Sequence, residues 1–313
     1  MWHILFFLLN RHTTCSIHDI EHTVPPSPAP LSCFSLFLND PEKVYNGNMI
    51  IQKYLQSFLE MTSWRTTAPP IGSFIHIYAA IVTIGAAFFF AVKFSYSTEK
   101  KRMHILTGMG WVLLIMELYK QFFYYYIVND GAFDWWFFPF QLCSVPMYMC
   151  ILLPFVSKKL QTTFLTFMTG FTFVSALAAL IYPEDMLRSY ISLTAHGFIW
   201  HGILLFISLL IGISGMADLS IKGFGRSVVL FLVLCGAAVL INVLAEPLAQ
   251  SGAVPDSYPN MFYLSPYHPS DQPFVGRIES MYGRPAAMAS YIGAIIAGAG
   301  VTDLIFSLFN KRK

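Results

Sequence analysis

Seven apolar runs constrain this chain more than any other feature, each close to the roughly 20 residues an α-helix needs to cross about 30 Å of hydrocarbon. They stand near 74–94, 104–127, 136–156, 160–182, 192–213, 227–248 and 286–309. In hydrocarbon every backbone N–H and C=O must find its partner within the protein, so such runs predict helices. Most connections are short, which predicts antiparallel neighbours. The expected fold is therefore all-α, a polytopic membrane bundle of about seven transmembrane helices. Charged residues are 12% of the 313, about half the share in an ordinary soluble domain, and this excludes a soluble globular protein. A net charge of +2 leaves no basic surplus for a phosphate backbone, so the expected partners are membrane lipids and not nucleic acid. Oligomeric state is not legible.

Lys and Arg gather on the cytoplasmic side of membrane proteins. The first connection holds Lys93, Lys100, Lys101 and Arg102, the third Lys158 and Lys159, the fifth Lys222 and Arg226, and the end Lys311, Arg312 and Lys313. The opposite connections hold only Arg188, Arg277 and Arg284. This alternation predicts a cytoplasmic C-terminus and places a long loop at 249–285 outside. Residues 71–310 form the expected membrane domain. Residues 1–70, with V-P-P-S-P-A-P at 24–30, read as a tail, disordered or partly the product of a start upstream of Met49 or Met61. Cys15 and Cys33 lie in that tail and can bridge, though nothing requires it.

Polar groups at membrane depth are costly and are usually retained for a purpose. In the second span Glu117, Lys120, Gln121 and Tyr124 share one helical face, and the run at 122–126 reads as an aromatic interfacial belt. Glu117 and Lys120 serve either as a structural ion pair or as part of a site. The third span contains Pro139, Pro146 and Pro154. In a continuous helix Pro146 would free the carbonyl of Leu142, beside Gln141, Cys143 and Ser144. Cys143 is either a small packing residue or a nucleophile. His196 and His201, each followed by glycine, are five apart and so miss the i, i+4 spacing of a helical metal site; no metal is expected. They read as interhelical hydrogen-bonding groups or as a general base. In the sixth span Asn242 and Glu246 share a face before Pro247, and Asp303 in the Gly-rich last span is a further candidate. The loop beyond, with Y-P-N-M-F-Y-L-S-P-Y-H-P at 258–269, reads equally as an interfacial lid or a structural cap.

Q-L-C-S-V-P at 141–146, His201-Gly202, the Asn-bearing sixth span and N-M-F-Y-L at 260–264 resemble the YwaF-like integral membrane proteins. That family is mostly bacterial and is similar to the eukaryotic transmembrane-protein-164 acyltransferases. The resemblance covers roughly residues 70–309. It implies a bacterial plasma-membrane protein that transfers acyl groups between lipids, without a cofactor. It also implies Cys143 as nucleophile and His201, or else His196, as its base. Gln141 stands where many relatives carry histidine before L-C, a departure that bears on thiol activation.

Three functions fit. The first is a lipid acyltransferase or lipid hydrolase using the Cys/His pair, with Glu117, Lys120, Gln141, Asn242 and Glu246 lining the substrate. The second is a small-solute or proton-coupled transporter, with Glu117, Lys120, Glu246 and Asp303 along a path. The third is a non-enzymatic sensor or assembly factor.

Overall fold

The computed structural model of the chain describes residues 41–310 apart from 253, 255, 256, 271, 273 and 274, with side chains from residue 51 onward. Two compact units meet at Met61 and Thr62. The first holds helix α1 (Pro41–Met61), which forms within the stretch expected as tail. Its apolar Ile51, Leu55 and Phe58 recur at helical spacing. Expectations for residues 1–40, including the Cys15 and Cys33 pair, lie outside the described residues.

The second unit contains α2 (Phe74–Ser95), α3 (Glu99–Phe123), α4 (Val145–Leu152), α5 (Lys158–Ile181), α6 (Ile191–Ser214), α7 (Ile221–Gln250), α8 (Val275–Tyr282) and α9 (Arg284–Asn310). The helix starts follow local chemistry. Ser73, Thr98, Ser157 and Ser220 are N-caps whose side chains accept from the backbone N–H three residues on, satisfying donors that the helix itself cannot. Helix α6 ends at Gly215, whose φ of 67° belongs to the left-handed region.

Five helices, α2, α5, α6, α7 and α9, are long and apolar enough to cross a membrane, where seven spans were expected. Helix α3 has the length, 25 residues, but Glu117, Lys120 and Gln121 lower its hydropathy. The run at 136–156 is the clearer departure. It is a 3-10 turn (Trp135–Phe137), a non-helical stretch, the eight-residue α4 and a second 3-10 turn (Leu153–Phe155). Pro146 sits in the first turn of α4, where a missing N–H costs nothing, so it begins a helix and does not break one. The run still follows α3 along its length. Gln121 near the end of α3 donates to the Phe137 carbonyl, Gly110 abuts Cys150 and Ile151, and Pro154 shares a groove with Met103.

Helices α5 and α6 are the centre, with 61% and 67% of their most apolar stretches buried, against 17% for α2. Helix α2 packs mainly on α6, and α9 on α5. The outer face of α2 exposes Phe74, Ile81, Phe88 and Phe89, a surface matched to lipid tails and not to water. Within α5, Thr162, Thr163, Thr166 and Thr169 each donate to the carbonyl four residues back, which hides four hydroxyls inside an apolar helix. An aromatic column crosses the core. Phe167 stacks on Phe171 at 4.9 Å, Phe171 meets Phe231 at 4.7 Å, Phe231 meets Phe262 at 6.4 Å, and Phe262 meets Phe140 at 5.7 Å. The expected aromatic belt is partly interior, because Phe123 and Tyr124 are buried against Tyr190 and Phe137.

A Cβ at Gly110 would lie 2.8 Å from the Cys150 Cβ and 2.9 Å from the Ile151 backbone nitrogen, so this glycine sets how closely α3 and α4 approach. Gly110→Val is expected to destabilise by about 1–3 kcal/mol through overpacking, seen as a lowered melting temperature in detergent. Gly85→Ala, where a Cβ meets nothing within 4 Å, should leave melting unchanged or slightly raised.

Candidate intramembrane site

The middle of the long loop does not lie outside the bundle. Asn260, Met261, Phe262 and Leu264 are fully buried, and the 3-10 turn Met261–Tyr263 packs on α7. Phe262 and Tyr263 both carry φ of 56°, a region that aromatic residues rarely occupy. Side chains hold this backbone in place. Asn242 accepts from the Met261 N–H at 2.6 Å and donates to the Met261 carbonyl at 3.1 Å. Gln141 accepts from the Phe262 N–H at 2.9 Å and donates to the Asn260 carbonyl at 3.2 Å. Asn260 donates to the Pro269 carbonyl and accepts from the Ser265 N–H. Arg284 donates to the carbonyls of Ser265 and Tyr263 and pairs with Glu279. Buried non-helical backbone needs such partners. Gln141 and Asn242, expected to line substrate, have both ends of their amides occupied by the loop.

Cys143 stands in the turn that leads into α4, with its side chain half-buried. Its carbonyl accepts from Trp200 Nε1 of α6 at 3.3 Å. Lys120 lies 5.9 Å from the centre of the Trp200 ring and 5.8 Å from that of Phe137. Its ammonium pairs with the fully buried Glu117 at 2.9 Å. Gln121 bridges Glu117 and the Phe137 carbonyl at 2.7 and 2.5 Å. The acid at depth is thus paired and doubly hydrogen-bonded, the condition under which a buried charge persists. Lys120, Glu117 and Asp185 are the charges whose fields reach the Cys143 thiol.

Both histidines are held in defined tautomers, because a carbonyl can only accept. His196 Nε2 donates to the Met116 carbonyl at 3.0 Å, which leaves the lone pair on Nδ1. Its ring stacks between Tyr119 and Trp200, at 6.5 and 5.7 Å. His201 Nδ1 donates to the Gly197 carbonyl of its own helix at 2.8 Å. The basic lone pair therefore lies on Nε2, which takes no hydrogen bond from the described residues. Each ring thus keeps one nitrogen without a proton.

Several participants went unread in the sequence. Trp200 couples α6 to the Cys143 turn. Asp185 accepts from the Tyr263 hydroxyl at 2.9 Å, and Tyr263 packs against Tyr291 at 6.0 Å. No periodicity links positions 143, 185, 200 and 291; only the fold brings them together. Glu246 stands apart, bound to His268 at 2.8 Å and to Gln250 at 2.9 Å. Asp303 lies elsewhere again, beside Gly170. Among the described residues no three His, Cys, Asp or Glu side chains converge as a metal site.

Asn242→Leu would strand the buried Met261 N–H and carbonyl. Its expected cost is about 1–3 kcal/mol for each unsatisfied group, with a lower melting temperature and faster proteolysis in 251–283. A variant that melts and resists protease like the parent would show that the clamp does not hold the loop.

The TMEM164 family profile matches residues 62–297, the stretch that contains every group described around Cys143. No curated protein and no solved structure matches the chain. The matched stretch covers most of the chain and its helices have membrane-spanning character. The protein is an integral membrane member of the TMEM164 family.

Proposed function

We propose that the protein moves acyl groups on membrane lipids, as an acyltransferase or lipid hydrolase, with Cys143 as nucleophile and His201 as base, His196 being the alternative base. The observation that carries this reading is a half-buried thiol in a turn pinned by Trp200, on the helix that also presents two histidines with free basic lone pairs. In the reaction the Cys143 proton passes to a histidine, and the thiolate adds to the ester carbonyl of a donor lipid. The tetrahedral intermediate then expels the lipid alcohol, which takes the proton from the imidazolium, and leaves an acyl thioester on Cys143. An acceptor hydroxyl or water, deprotonated by the same histidine, attacks that thioester and restores the thiol. Lys120 supplies positive potential beside the developing thiolate. Substrate enters sideways from the bilayer.

The remaining parts of the reading concern placement. The run at 136–156 serves as a discontinuous pass between α3 and α5, which makes seven passes with the C-terminus in the cytoplasm, in keeping with the Lys and Arg distribution. The membrane is the bacterial plasma membrane.

One observation favours a proton-coupled transporter instead. Asp303 is 4% exposed, and neither carboxylate oxygen has a hydrogen-bond partner among the described residues, as in a group that binds and releases a proton.

With purified protein and labelled phospholipid vesicles, Cys143→Ala should abolish acyl turnover and the hydroxylamine-sensitive acyl adduct. His201→Ala should lower turnover by about 10²–10⁴-fold, the usual contribution of a general base. Full turnover in Cys143→Ala would rule out the nucleophile. The two readings separate on Asp303→Asn, which acyl transfer tolerates, whereas proton-coupled uptake into liposomes does not.

A further inference from the structure

A groove of about 710 Å³ runs along the first turns of α3, opposite the 3-10 turn after α4 and the start of α5, and Cys143 is not in its lining. Its character changes along its length. Lys100 and Lys158 stand at one end, with Glu99 the only acid in the lining. Further along α3 the wall becomes Met103, Thr107, Gly108 and Trp111, facing Pro154. Trp111 is 51% exposed, and a Cβ built on Gly108 meets nothing within 4 Å, so the apolar end is open. Residues 100 to 111 rise about 17 Å along the helix, enough for a headgroup and the upper part of an acyl chain.

Among the described residues neither cation is in an ion pair. There Lys158 donates to the neutral Gln161 amide at 3.2 Å, and Lys100 has no carboxylate within ion-pairing distance. A neighbouring groove on the other side of α5, lined by Lys222, Arg226 and Val229, differs here, because its Arg226 is paired with Asp218 at 2.6 Å.

We propose that the α3–α4–α5 groove is a binding site for one anionic phospholipid of the adjoining leaflet, with its phosphate between Lys100 and Lys158 and an acyl chain over Gly108 toward Trp111. Charge complementarity selects the headgroup, and the open apolar wall selects a lipid over a soluble anion. The site rests only on the membrane character of the bundle and is independent of any chemistry at Cys143.

The test uses the full chain in mixed bilayers of phosphatidylcholine and phosphatidylglycerol, each lipid supplied in turn with a photoactivatable acyl chain, and adducts mapped by mass spectrometry. Phosphatidylglycerol should label the 103–111 stretch in preference to phosphatidylcholine. Near a surface each lysine is worth roughly a fivefold preference, so K100Q/K158Q should lower phosphatidylglycerol labelling by about tenfold or more, to the phosphatidylcholine level. Gly108→Leu, whose Cβ meets nothing within 4 Å, should reduce labelling by both lipids while melting stays unchanged. Inorganic phosphate should not compete. Equal labelling by the two lipids, a preference that survives K100Q/K158Q, or competition by inorganic phosphate would each overturn the proposal.

Discussion

Away from water an unpartnered backbone amide costs several kcal/mol, and two segments that meet in the bundle are not α-helical. The first is the stretch 138–144, the second the turn at 260–265. The first helps to satisfy the second. Gln141 from the first segment bonds the backbone of the second on both sides of Met261, and Asn242 of α7 completes the bonding of Met261 itself. Once these amides are paired, Phe262 can sit in the core between Phe231 and Phe140, and the Tyr263 hydroxyl reaches Asp185. The positive φ at Phe262 and Tyr263 persists because the surrounding bonds over-determine it.

Helix α6 connects this scaffold to the chemistry. Its Trp200 pins the Cys143 carbonyl, its His196 reaches the Met116 carbonyl of α3, and its Gly202 comes close to Thr83 of α2. The helix thereby fixes three neighbours with consecutive faces. Two of its glycines, Gly197 and Gly202, lie where a Cβ would strike Met186 and Thr83, so the histidine–glycine pairs serve close approach as much as they serve the rings.

Much of this was legible in the residues. The long apolar runs predicted helices, and the spacing of Glu117, Lys120 and Gln121 predicted a shared face, observed as a hydrogen-bonded trio. The run at 136–156 misled because apolarity reports burial in hydrocarbon and not conformation; its prolines mark the start of a helix where a kinked span was expected. The loop at 249–285 reads as a lid or a cap, and its prolines and polar residues do not announce that Asn260, Met261, Phe262, Leu264 and Ser265 within it are fully buried in the protein. Gln141 and Asn242 stand out in the sequence as polar groups at depth, but whether an amide faces substrate or backbone depends on what crosses beside it.

By itself the sequence determined that this protein is helical and belongs in a membrane, because hydropathy and the need to satisfy amides locally act along a single helix. Only the tertiary structure decided which polar residues are neighbours. The surroundings of Cys143 draw on Lys120, Asp185, Trp200 and Tyr263, positions separated by tens of residues, and their proximity follows from packing between helices and from the loop that folds back into the bundle.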